Sequence, residues 1–342
     1  MSSSVPHSLA AVMARAEAPV PDYAGAGVPL AIVAALNHAG IDVGFMEFVA
    51  ASGWAFSFAY RYDDESPAYM AVRGEPSADG PMEVFAFLPE RYGLVYDMAP
   101  TADPDRLWSF VRRHVDAGTP VMSEHMDGGL IVAYRVKDGR RQVFFDGTVT
   151  PGWIDINGLQ PHAVYVFTGE PEPRAEITRE ALRRAVAKGR PHDWHGTPQG
   201  LAALRQYLAD VQDPAKDFVA CPAWLGWAAF ERLMARRCAE VWLRQVADGL
   251  TGEAKRRVAA AADRYGEAFA HYDRYRAAIL GSEPHRGDSH RHPPAGHVAQ
   301  AAPHLERGIA AEEAGLDVLA EEEGLDRLTE AEEQDGPSEA KE

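Results

Sequence analysis

Gly129-Leu-Ile-Val-Ala-Tyr-Arg-Val-Lys-Asp-Gly-Arg-Arg-Gln-Val-Phe-Phe-Asp146 is the stretch whose reading decides the fold. Leu130 to Val136 and Gln142 to Phe145 are apolar runs rich in β-branched and aromatic residues. The loop between them contains Lys137-Asp138-Gly139, and Asp-Gly favours a tight hairpin turn. A hairpin implies an antiparallel sheet. Working outward, Thr119 to Ser123 and His162 to Thr168 read as two more strands. Asp103-Pro104 supplies an N-cap and an N1 proline for a helix through Asp116, with Gly118 beyond its end. Val28 to Ala39 is apolar at nearly every position and reads as a short buried helix closed by Gly40. Ala55 to Tyr60 alternates large and small residues and predicts a strand. Helix first and antiparallel sheet after is an α+β domain, expected over residues 1–170.

From 171 to 281 the pattern turns helical. Pro222 opens an amphipathic stretch in which Trp227, Phe230, Met234, Cys238 and Val241 recur at steps of three and four, with Trp242 widening the stripe. Thr251 caps the next helix, striped by Tyr265, Phe269, Tyr272 and Ile279. Two such helices on a short loop predict an α-helical bundle domain. Residues 282–342 carry 16 acidic against 5 basic side chains, most of the net charge of −17. Their first part is a Gly/Pro/His linker, and Gly315 to Glu323 is echoed by Gly324 to Glu332. This composition predicts a disordered acidic tail whose deletion leaves the fold intact.

The composition also excludes. A charge of −17 opposes binding to nucleic-acid phosphates. No apolar run is long enough for a membrane span, and Arg15 and Glu17 interrupt the one candidate leader, so the expected location is cytoplasmic. Cys221 and Cys238 are the only cysteines, too few for a disulfide framework. Gly-rich phosphate loops, a Gly-x-Ser-x-Gly elbow and His-Glu-x-x-His are absent from the sequence, and no cofactor is indicated.

Gly27-Val-Pro-Leu-Ala-Ile-Val-Ala-Ala-Leu-Asn-His-Ala-Gly40 resembles the opening helix of the papain-like peptidases that process bacteriocin leaders, agreeing at Pro29, Leu36 and Gly40. Gly118-Thr-Pro-Val-Met122, Gly129-Leu-Ile-Val-Ala-Tyr134 and Phe144-Phe-Asp146 are similar to that family's later motifs. Ser52-Gly-Trp-Ala-Phe56 looks like a segment of relatives typified by the N-terminal domain of the butirosin-pathway acyltransferase. The resemblance implies a helix packed on an antiparallel sheet, with a cleft between them. It also puts Gly27 where the family has its nucleophilic cysteine, and Gly129 or Leu130 where it has its histidine. Only Asp146 of the triad remains, and an aspartate without its imidazole orients nothing, so the family's hydrolysis is not expected.

The cleft then becomes a site for a small molecule or peptide in a biosynthetic pathway, lined by Gly27, Trp54, Phe56, Tyr60 and Gly129. Replaced chemistry is the alternative. Glu124, His125 and Asp127, with Asp146, offer carboxylates and an imidazole for acyl or aminoacyl transfer or a metal-assisted step. A solvated loop accounts for the same run. His192 and His195 lie three apart among Pro191, Gly189 and Gly196, a loop context, and no metal site is assigned to them. Cys221 stands at a helix start, which favours a thiolate, whereas Cys238 lies on an apolar stripe. A third alternative is an interaction protein that recruits a protein partner through its acidic tail.

Overall fold

Asp138 and Gly139 both adopt positive φ, 52° and 73°, the left-handed pair that a two-residue hairpin turn requires. They join β3 (Gly129–Lys137) to β4 (Arg140–Gly147), whose ladder shifts register once, between Ile131 and Ala133. The structure, a computed structural model, describes residues 28–60, 95–123, 128–147, 151–159, 163–168, 178–194, 197–213, 215, 233–280 and 297–320.

Around the hairpin stand β1 (Val95–Pro100), β2 (Val121–Ser123), β5 (Gly152–Asp155) and β6 (Ala163–Thr168). They form an antiparallel sheet in the order β1-β6-β2-β3-β4-β5. Two helices serve it. In α3 (Pro104–Asp116) the Asp103 side chain accepts from the backbone N–H of Arg106 at 3.0 Å, so the predicted cap and proline start are in place. Its Leu107, Trp108, Phe110 and Val111 bury one stripe against Ala99, Val121, Ile131, Val143, Phe145, Val164 and Val166. At about 1.5–3 kcal/mol for each large side chain buried, that stripe is what holds α3 to the sheet. The other helix, α1 (Val28–His38), packs on β2, β3 and β6. It ends at Gly40, φ 87°, where Ile41 N–H reaches back to the Leu36 carbonyl at 3.0 Å. Met122, Leu130 and Tyr165 are cross-strand neighbours, buried on the sheet face that α3 leaves, and α1 covers it. Between α1 and α3 lies α2 (Phe45–Ala51).

One close approach inside the sheet is testable. Gly129 and Gly147 face each other across β3 and β4, and the ring of fully buried Phe145 lies over both. A Cβ at Gly129 would stand 2.5 Å from the ring, and one at Gly147 would collide with it outright. Gly147→Ala is expected to lower stability by about 1–3 kcal/mol through overpacking. Adding Phe145→Leu should recover part of that. A denaturant midpoint unchanged by the single substitution would contradict the packing.

The second unit is helical: α4 (Thr178–Gly189), α5 (Leu201–Gln212), α6 (Arg236–Asp248), α7 (Gly252–Leu280) and α8 (His297–Ala320), with a small hairpin of β7 (His192–Trp194) and β8 (Thr197–Gln199). α7 packs along α6 and, most extensively, along α8, which also meets α5 and α4. The chain is therefore α+β, with an antiparallel sheet and a separate group of helices.

Three expectations are corrected. First, Ala55 to Tyr60 is no strand. Trp54–Phe56 forms a 3-10 turn entered through Gly53 at φ 83°, with the Ser57 hydroxyl donating to the Trp54 carbonyl at 3.0 Å. Only Ala59 makes a β-bridge, to Gln199. Second, among the described residues 49–60 group with the helical unit and not with the sheet, which a single boundary at 170 does not anticipate. Third, residues 297–320 of the expected tail are helix α8, with Leu305, Ile309, Leu316 and Leu319 buried. Those side chains recover the burial that the acidic composition hid. The linker at 281–296 and the segment 321–342 lie outside the described residues, as does the predicted helix start at Pro222.

Candidate functional site

The face that the sheet turns to α1, where the resemblance implies a groove, is set by backbone register. Leu130 pairs with Asp146 across β3 and β4, and alternation puts both on the face that α1 covers. Leu130 is buried and Asp146 half-buried. Gly129, one residue earlier, turns the other way, toward Phe145 and the α3 side. Gly129 is thus removed from the candidate groove, and Leu130 takes the position beside Asp146. The end of α1 is anchored by the His38 ring, whose Nε2–H donates to the Gly118 carbonyl at 2.7 Å. The Asn37 side-chain oxygen accepts from Val43 N–H at 3.2 Å.

Gly27, immediately before Val28 of α1, lies outside the described residues, and so do Glu124, His125 and Asp127. Cys221 and His195 also fall there, while His192 opens β7, its Nδ1 3.0 Å from the Arg190 carbonyl. Cys238 is fully buried, and burial pushes its thiol up to about 12, which makes it inert as a nucleophile at neutral pH. Among the described residues no group of three or more His, Cys, Asp or Glu side chains is placed to hold a metal ion. Nor is any described helix long and apolar enough to cross a membrane.

The aromatic candidates belong to the second unit. Phe56 is fully buried and meets Trp242 and Tyr265 edge-on, at 6.1 and 5.0 Å between centroids. Tyr60 is fully buried and donates to Asp210 at 2.9 Å; Gln206 holds the other Asp210 oxygen at 2.9 Å. Neither has surface left for a ligand, which corrects their place in the candidate site. Trp54, on the same 3-10 turn, is only half-buried.

Sequence reading missed a polar centre in the helical unit. Arg236 and Glu312 are both fully buried and form a bidentate pair, Nε to Oε2 at 3.0 Å and Nη2 to Oε1 at 2.7 Å. Arg236 Nη1 also donates to the Ser57 carbonyl at 3.0 Å, and Tyr272 donates to Glu312 Oε2 at 2.8 Å. Desolvation works to lower the Arg236 pKa, but the charge and hydrogen bonds of Glu312 more than offset it and the net shift is upward. For Tyr272, burial and then the Glu312 charge push the phenol well above its ordinary value. Beside this centre, Tyr207 and Tyr275 share a hydroxyl contact at 2.9 Å. These groups bond to protein partners and are sealed from solvent, so they brace helices and face no substrate.

No protein-family model matches the chain, and no curated protein matches it.

Proposed function

We propose that the first unit is a papain-like scaffold without its reactive pair, and that it binds a small molecule or an extended peptide in the groove between α1 and the sheet, as an accessory protein of a biosynthetic pathway. The observation that carries this reading is the pairing of Leu130 with Asp146 on the sheet face beneath α1. A histidine at the Leu130 position would have the Asp146 carboxylate as its cross-strand neighbour, the arrangement in which an acid orients an imidazole. Leucine there leaves an apolar wall with one carboxylate beside it, which suits recognition of a ligand with a polar or cationic group.

Restoring the pair tests the scaffold without knowledge of the ligand. A thiol in Gly27→Cys should titrate near the ordinary value of about 8.5, and combining it with Leu130→His should lower that midpoint by more than one pH unit. The readout is the pH profile of alkylation by iodoacetamide in a Cys221→Ala background, with buried Cys238 as the inert internal thiol. Identical profiles for the single and double variants would refute the papain-like arrangement. Disulfide-bearing peptide fragments tethered to Gly27→Cys then report on binding. Selective capture of particular fragments over a simple mercaptan supports a formed groove, and indiscriminate capture argues against one.

A further inference from the structure

The contact between α7 and α8 contains two histidines that the proposed function does not use. His271 on α7 and His304 on α8 face each other with ring centroids 6.2 Å apart and planes 32° apart. In each ring Nδ1 is buried and has no hydrogen-bond partner. A neutral imidazole with its hydrogen on Nε2 leaves Nδ1 as a bare lone pair, which is cheap to bury. An imidazolium carries hydrogens on both nitrogens, and the Nδ1–H would then be an unpartnered charged donor inside the helix contact. The charges acting on His271 are Arg274 and Glu267 on its own helix and His304 and Arg307 on α8, so guanidinium groups outnumber the one carboxylate. Glu267 is in turn engaged by Arg264 at 2.8 Å.

We propose that the α7–α8 contact is an acid-sensitive joint: protonation of the His271 ring, which faces His304 across the contact, puts an unpartnered charged donor between the two helices and loosens α8. Desolvation first, then Arg274, holds the His271 pKa below its ordinary value. The sign follows from that depression. The folded state takes up the His271 proton less readily than the unfolded chain, so the full stability is present above about pH 6.5. It falls, by up to about tenfold in the folded-to-unfolded ratio per pH unit, as pH drops from there toward the folded-state value. Such a joint would couple the second unit to acidification of its surroundings.

The test uses the full chain with 13C-labelled histidine rings, the His271 signal being assigned by its loss in His271→Gln. His271 should titrate below the ordinary midpoint, and His304→Gln should raise that midpoint, because the His304 ring acts to lower it. Amide protection over residues 297–320, corrected for intrinsic exchange, should fall between pH 7.5 and 5.5 in the wild type. It should stay level in the double variant His271→Gln/His304→Gln. An ordinary His271 midpoint, a midpoint indifferent to His304→Gln, or α8 protection independent of pH in the wild type would each overturn the proposal. If a variant fails to fold, the pH dependence of α8 amide protection in the wild type decides the matter.

Discussion

Truncation after Gly281 should unfold the helical unit. The removed segment contains α8, whose Leu305, Ile309, Leu316 and Leu319 are buried against the rest of that unit. At about 1.5–3 kcal/mol per large side chain, these four alone represent a loss of roughly 6–12 kcal/mol, as large as the whole stability of an ordinary domain. The cut also strips Arg236 of its carboxylate and opens Tyr272, over which Gly308 packs so closely that a Cβ there would collide with the ring. The expected result is a far-UV dichroism loss greater than α8's own share of the helix, with rapid proteolysis of residues 176–281. A second truncation after Ala320, which keeps all of α8, is the control and should melt like the full chain. Equal melting of both truncated forms and the intact protein would show that α8 is dispensable, the outcome that an acidic solvated tail predicts.

What the sequence made legible was local. The Asp138-Gly139 turn, the Asp103-Pro104 helix start and the Gly40 end of α1 each depend on dihedral preferences or capping groups within a few residues, and each stands where those preferences put it. Misreadings came from partners distant in the chain. Ala55 to Tyr60 has a true period of two, but Trp242, Tyr265 and Asp210, 150 or more residues onward, bury its aromatic rings without a strand. In α8 the apolar stripe is diluted by alanines and acids and interrupted by Pro303, so composition masked its amphipathic face. Glu312 looks like one more solvated acid until Arg236, 76 residues away, is placed opposite it. The sheet face beneath α1 shows the same limit on a smaller scale. Motif resemblance left Gly129 and Leu130 as alternatives, and only the pairing register with Gly147 and Asp146 separates their faces.

Glu312→Ala is expected to cost about 3–5 kcal/mol, because it leaves the fully buried Arg236 guanidinium without its counter-charge. The pair itself is a different quantity. Bringing both ions out of water offsets most of their attraction, so Arg236→Met with Glu312→Leu should be far milder than either single change, although the Tyr272 hydroxyl would lose its acceptor. Denaturant unfolding of the four proteins in a double-mutant cycle measures the difference, and a coupling of at least 2 kcal/mol is expected. If the substitutions simply add, the ion pair does not act as a unit. The comparison also bears on why a charged pair sits in this core. Arg236 reaches Glu312 and the Ser57 carbonyl at once, so one side chain ties α6, α8 and the turn after Phe56 into a single register. An apolar replacement fills space but accepts neighbouring registers more readily. The double variant should therefore keep its stability yet show a broader transition and faster amide exchange in α8, whereas wild-type exchange in that variant would assign the pair no role in specificity.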